Sequence, residues 1–299
     1  MKVKMTGGGT FDKDEQPVYF VASGTDQGMQ TVGCVKHFLL AVNEVESAKA
    51  LSDLDEILDS GTKIFLDSGI FNLTNTHMRA HGITMDQALA LAPDEIDGFD
   101  RLWDHYCTVV TRFADRVWGF IELDQGGAEN KRKTRARIEK ETGLVPIPVY
   151  HPLNDGWDYF DELASQYDRV CCGNVVQANS PTRKRLISTM YERQRKDHPK
   201  TWIHFLGYTP NQWVHSAPFY GSCDSSSWLK NIRWAAQHKS HTACKTIGVF
   251  KYGMRYKYGS DASDPNGYPK AVRLAGMQSG QFLEDSWGAF MREKTEVFG

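Results

Sequence analysis

KIFLDSG at 63–69 is an apolar run that ends in an aspartate and a pair of small residues. The run is continuous rather than alternating, as in a strand buried on both faces, and Ser68-Gly69 lets the chain turn tightly beside a ligand. Runs of the same kind recur at fairly regular distances on either side. They are VYFVAS at 18–23, HFLLAV at 37–42, VWGFIEL at 117–123, VPIPVYH at 145–151, RVCCGN at 169–174, TWIHFLG at 201–207 and PFYGSCDS at 218–225. The intervening segments are long enough for helices, which makes a parallel sheet the expectation; eight such strands predict an α/β fold, a (β/α)8 TIM barrel with loop insertions. The first two runs are close together, and one of them also fits an N-terminal hairpin.

A chain of 299 residues, 40% hydrophobic and 24% charged, has the composition of an ordinary globular protein and the length for one barrel of roughly 250 residues plus insertions. No repeat, low-complexity tract or linker divides it. One domain is expected over 1–299, with a barrel core at about 18–250 and a C-terminal extension at about 260–299. The longest helical region falls between the third and fourth strands, broken at Pro93, with Thr84 and Asp94 as expected helix caps.

The formal net charge of −2 excludes a sequence-independent nucleic-acid coat, so any nucleic-acid contact has to come from local basic patches. The N-terminal MKVKMTGGGTFDKDEQ lacks the apolar core of a signal peptide, and no stretch approaches the roughly 18 apolar residues of a membrane span. A cytoplasmic protein without a membrane partner is expected. Cys34, Cys107, Cys171, Cys172, Cys223 and Cys244 form no CxxC pair and read as buried free thiols.

In a TIM barrel the chemistry sits at the C-terminal ends of the strands. Asp67, Asp124, His151, Gly173, Gly207 and Asp224 hold those places. One aspartate after one strand is commonly a helix cap or loop residue. Three carboxylates on three strand ends point instead to a shared pocket.

LDSGIFN at 66–72 resembles the DSGGFQ-type segment that carries the acid/base aspartate of the tRNA-guanine transglycosylase superfamily, and YGSCDSSSW at 220–228 resembles the segment with its nucleophilic aspartate. ELD at 122–124 is similar to the strand whose aspartate reads the base edge. VPIPVYH lies where a glutamine-bearing strand end helps bind the base, and CCGN at 171–174 lies where a Gly-rich strand end offers N–H groups. The resemblance covers roughly residues 18–235. Two departures stand out: the CxCxxC cluster with a later histidine that holds structural zinc is absent, and His151 replaces the glutamine. With HFLGY at 204–208 and CDSSSWL at 223–229, the chain looks most like the shorter DNA 7-deazaguanine transglycosylases of bacteriophages and bacterial genomic islands.

That resemblance implies a base exchange in DNA, guanine for a free 7-deazaguanine such as 7-cyano-7-deazaguanine. Asp224 is the nucleophile and Asp67 the acid/base, since exchange with retention at C1′ needs two displacements and a proton carrier. Asp124 would accept from the N1–H and amine of the base, N–H groups near Gly173 would hold O6, and Ser68, Phe71, His151 and Gly207 would complete the base site. The target nucleotide has to be flipped out and stacked, for which Phe71, Tyr150, Tyr208, Trp228, Tyr252 and Tyr256 are at hand. Lys131, Arg132, Lys133 and Arg135 in KRKTRAR, Arg183 after the Gly173 strand, and Lys251 and Arg255 in KYGMRYKYG are the expected phosphate contacts, although charge runs are more often solvated helix faces.

The expected partners are DNA and the free base, with a second copy or a helper protein left open. No cofactor is required. The HxH pair of metal-dependent barrel hydrolases is absent; His204 could face a ligand or merely pack, and the i,i+4 pair His77 and His81 could take a metal only if exposed on a helix. Two alternatives stay open: the same exchange on tRNA, and a non-catalytic nucleic-acid-binding subunit.

Overall fold

The structure, a computed structural model, describes residues 3–14, 18–33, 35–208 and 221–226. All eight strands form: β1 (Val18–Ala22), β2 (His37–Ala41), β3 (Lys63–Asp67), β4 (Gly119–Phe120), β5 (Val149–Tyr150), β6 (Arg169–Cys172), β7 (Trp202–Phe205) and β8 (Gly221–Ser225). They lie in the order β4-β3-β2-β1-β8-β7-β6-β5, every described pairing parallel. A parallel bridge between Ile121 and Ile147 joins β4 to β5 and closes the cylinder, with Ile147 N–H donating to the Phe120 carbonyl at 2.9 Å. The fold is therefore the (β/α)8 barrel. The first two strands are parallel neighbours joined by α1 (Thr25–Thr31), which rules out the hairpin.

Helices α2 (Ala48–Asp59), α3 (Ile70–His81), α4 (Met85–Ala90), α5 (Phe99–Phe113), α6 (Gly127–Thr142), α7 (Trp157–Gln166) and α8 (Ser180–Asp197) fill the other connections up to β7. Thr84 caps α4 as expected, its side chain accepting from Gln87 N–H. Asp94 does not start the next helix. It sits in the single 3-10 turn Pro93–Glu95, and α5 begins at Phe99 after Gly98 turns the chain at φ +82°. No helix among the described residues is long and apolar enough to cross a membrane.

The continuous apolar strands serve two layers. Tyr19, Val21, Phe38, Leu40, Ile64, Leu66, Val170 and Ile203 point outward into the helix layer, while Val18, Phe20, Leu39, Phe65, Trp118, Val149, Cys171 and Trp202 fill the cylinder. Edge-to-face and tilted ring contacts at 4.9–5.7 Å tie Phe20, Phe65, Trp118 and Trp202 into an aromatic floor. Below it the N-terminal segment closes the other mouth: Phe11 packs edge-on against Trp118 and Trp202. Arg169, buried inside β6, donates to the carbonyls of Thr6, Gly7 and Trp118 and to the Thr6 hydroxyl. Four acceptors offset the cost of enclosing that cation. Cys171, Cys172 and Cys223 are buried free thiols and Cys107 is a half-buried one; Cys34 and Cys244 lie outside the described residues.

Candidate active site

At the C-terminal mouth the chain encloses a cavity of about 230 Å³, into which Asp67, Asp124, His151, Gly173, Gly207 and Asp224 all project. Inward positions recur every second residue along a strand. Asp67 thus follows Phe65 onto the inner face, and Asp224 follows Ser222. Aliphatic side chains of Ile70, Leu89, Ile121, Val176 and Leu206 make the walls. The volume falls below the roughly 300–1,000 Å³ of pockets for drug-sized ligands, on the scale of one flat heterocycle.

The two carboxylates at β3 and β8 are held alike. Gly69 N–H donates to Asp67 Oδ1 at 3.0 Å, and Gly207 N–H donates to Asp224 Oδ1 at 2.9 Å. Both glycines are left-handed, at φ +76° and +68°. A side chain there would strain the turn that aims the N–H. Asp224 Oδ1 also lies 3.1 Å from His204 Nε2, and His204 Nδ1 lies 2.8 Å from the Ser222 hydroxyl, which accepts from Trp202 Nε1 at 2.8 Å. Tryptophan can only donate and an ionised carboxylate can only accept. For a neutral imidazole beside an ionised carboxylate the direction is Trp202 to Ser222, Ser222 to His204, His204 to Asp224. Oδ2 of Asp224 has no hydrogen-bond partner among the described residues.

Burial pushes Asp67 up to about 6; the Gly69 N–H and the Ser68 hydroxyl pull against that, and the charges of Asp124 and Asp224 add to it. Asp124 moves the other way. Burial works to raise it, but the His151 hydrogen bond at 2.7 Å, the His151 ring's charge and Lys131 hold it below the usual carboxylate range. His151 is fixed in turn by its N–H to Asp155, whose carboxylate pairs with the fully buried Lys131 ammonium. Two carboxylates with opposed environments in one cavity divide naturally into a proton carrier and a permanent acceptor.

Several expected roles change. A Cβ on Gly173 would lie 2.7 Å from the His151 ring, so this glycine makes room for His151; its own N–H donates to the Tyr150 carbonyl at 2.9 Å and is not free for a ligand. Ser68 is fully buried in the turn before α3 and is not part of the cavity lining. Tyr150 is buried against Trp157 and Phe160, and Tyr208 against Phe205, so neither can stack on a ligand. Phe71 lines the cavity and is 51% exposed. Trp228, Tyr252 and Tyr256 lie outside the described residues.

The basic run 131–137 is largely structural. Lys131 is buried on Asp155, and Arg135 is buried on Glu122 and the Tyr167 hydroxyl, because α6 turns that face onto the barrel wall. Neither can meet a phosphate. Arg132 pairs with Glu162 and stacks on Tyr159, and Lys133 pairs with Glu129 on the surface. Arg183 pins the cavity-lining loop by donating to the Val176 and Ala178 carbonyls at 2.8 Å each. Lys251 and Arg255 lie outside the described residues.

Sequence reasoning missed Gln125, whose buried amide ties α4 to the cavity through Thr74, Ala88 and Leu91, and the strut Lys131–Asp155. The alternation Trp202, His204, Leu206 was the available signal for His204, since it puts all three on the inner face.

No protein-family model and no curated protein matches the chain. A solved structure from Coccidioides immitis, described as a candidate fructose-1,6-biphosphate aldolase, aligns with a TM-score of 0.49 at 8% identity, over 92% of this chain and 93% of its own.

Proposed function

We propose that this chain is a pentosyltransferase that exchanges guanine in DNA for a free 7-deazaguanine through a covalent ester between the sugar and Asp224. The observation that carries the reading is the meeting of Asp67 from β3, Asp224 from β8 and Asp124 from the loop after β4 around one base-sized cavity. Asp224 Oδ2 attacks C1′ while Oδ1 stays fixed by His204 and Gly207. The C1′–N9 bond breaks, its electron pair goes to N9, and protonated Asp67 supplies the proton. The incoming base returns its N9 proton to Asp67 and attacks C1′, and the sugar–Asp224 ester breaks with retention. Protons balance over the cycle, and no oxidant, reductant or cofactor enters.

Asp124 has one oxygen on His151 and offers the other to the N1–H and amine of a guanine-type edge. The aliphatic walls clasp the ring faces, and Phe71 at the mouth stacks on the flipped nucleotide. DNA is preferred over tRNA on the resemblance of 204–208 and 223–229 and on the missing CxCxxC spacing.

The test is to incubate the full chain with plasmid DNA and, separately, with unmodified tRNA, each with 7-cyano-7-deazaguanine and related free bases, and to assay digested nucleosides by mass spectrometry. Deazanucleoside in the DNA arm, absent with Asp224→Asn, is the expected result. Incorporation in tRNA alone moves the substrate to tRNA. Incorporation in neither, from folded protein with every base offered, removes the reading.

A further inference from the structure

Towards the C-terminal end of α3, on the same helix face as the cavity-lining Ile70 and Thr74 but beyond the cavity, His77 and His81 stand one helical turn apart with ring centroids 4.2 Å from each other. Asp97, from the turn that precedes α5, reaches both with a single oxygen: Oδ2 is 3.1 Å from His77 Nδ1 and 2.7 Å from His81 Nε2. The three ligand atoms all lie within 4.8 Å of one another. We propose that His77, His81 and Asp97 form a binding site for one divalent transition-metal ion, with zinc the best-matched species.

Metal–ligand bonds of about 2.0–2.1 Å in tetrahedral geometry set ligand atoms roughly 3.3 Å apart. The observed separations to Oδ2, 3.1 and 2.7 Å, both fall short of that value, so a metal enters once the ligand atoms spread by a few tenths of an ångström. Two imidazoles and one carboxylate select zinc, cobalt, nickel or copper over magnesium or calcium, which take mainly oxygen ligands. His77 is buried at 7% exposure and forms the base of the site, whereas His81 and Asp97 are 50% and 71% exposed. Solvent therefore reaches the open side and supplies the remaining coordination position as water. Binding replaces the 3.2 Å contact in which Asp97 N–H meets His77 Nδ1.

Such an ion acts on the wall of the cavity rather than on the chemistry. Asp97 ends the excursion 82–98 between α3 and α5, and that excursion carries α4, Leu89 and the carbonyls of Ala88 and Leu91 that hold Gln125. Clamping Asp97 to α3 fixes the two ends of the excursion together and stabilises the folded state by linkage. The site stands whether or not base exchange is the reaction.

The test uses the full chain, stripped with a chelator and titrated with Zn²⁺ by calorimetry and with Co²⁺ by visible absorption. The expected result is a one-to-one site with the intense cobalt bands of four-coordination, and a Tm that rises with Zn²⁺. His81→Ala and Asp97→Ala, both at exposed side chains and so compatible with folding, should each weaken binding by about 100-fold, with unchanged circular dichroism. Wild-type protein that takes up no Zn²⁺, or a His81→Ala/Asp97→Ala double variant that binds as tightly as wild type, overturns the proposal.

Discussion

His204 Nε2 stands 3.1 Å from Asp224 Oδ1, at the end of a hydrogen-bonded line that begins at the indole of Trp202. The His204 ring rests edge-on against Phe65 and Phe20, centroids 4.8 and 5.7 Å away, so the aromatic floor of the barrel sets the height and tilt of a donor to the proposed nucleophile. Core packing and site geometry are one construction here.

Replacing His204 by Phe keeps the ring contacts and deletes the donor. A hydrogen bond to a charged group contributes about 1.5–3 kcal/mol, so kcat for base exchange should fall roughly 10–150-fold with little change in KM. His204→Gln, which retains an N–H donor, should recover part of the loss. Steady-state kinetics check this; a purely structural role would lower the active fraction of all variants without favouring Gln over Phe.

Asp67 gives a pH signature. Its folded-state pKa of about 6 lies above the ordinary 3.8, so the folded protein holds this proton more tightly than the unfolded chain. Wild-type stability therefore falls as pH rises from about 4 through about 6, by up to about 3 kcal/mol. Asp67→Asn does not titrate and should be the more stable protein above pH 6, the gap closing towards pH 4. Urea unfolding at several pH values measures it, and a gap independent of pH contradicts the enclosed carboxyl.

Lys131 and Lys133 are two residues apart and should behave in opposite ways. Lys131→Met leaves the Asp155 carboxylate buried without its cation and should cost about 3–5 kcal/mol, loosening His151 as well. Lys133→Ala removes only a surface pair with Glu129 and should change stability by less than about 0.5 kcal/mol. Thermal or urea denaturation separates them.

Why Lys131 could not be placed from the sequence is instructive. A run of alternating Lys, Arg and Thr carries no apolar stripe to mark the buried side of a helix, so burial by ion pairing to Asp155 and Glu122 is invisible until the partners' positions are known. The strands were legible because continuous apolar runs such as VYFVA and KIFLD have one common explanation, a sheet covered on both faces. Strand-end residues Asp67, Asp124 and Asp224 were legible for the same topological reason. Gly173 and Tyr150 were not: whether a glycine serves a ligand or a neighbouring ring, and whether a tyrosine faces the cavity or a helix, turns on one step of strand alternation near a short β5. The Asp94 cap failed because Gly98, able to turn at positive φ, was a stronger helix start four residues later.

Phe71 offers a binding test free of folding effects. It is half-exposed at the cavity mouth, so Phe71→Ala should leave stability within about 0.5 kcal/mol. Stacking of a base on an aromatic ring contributes about 1–3 kcal/mol, which predicts a roughly 5–150-fold loss of affinity for the nucleic acid. Titration of a fluorescent guanine-containing oligonucleotide reads this directly; unchanged affinity places the stacking contact elsewhere.

The most direct measurement is to trap the ester. Wild-type protein is mixed with a guanine-containing single-stranded oligonucleotide, without free base, then denatured and digested for peptide mass spectrometry. The expected result is a sugar-linked peptide with the oligonucleotide attached at Asp224, released guanine in equal amount, and neither product from Asp224→Asn. An adduct on a different residue, or exchange at the wild-type rate in Asp224→Asn, contradicts it.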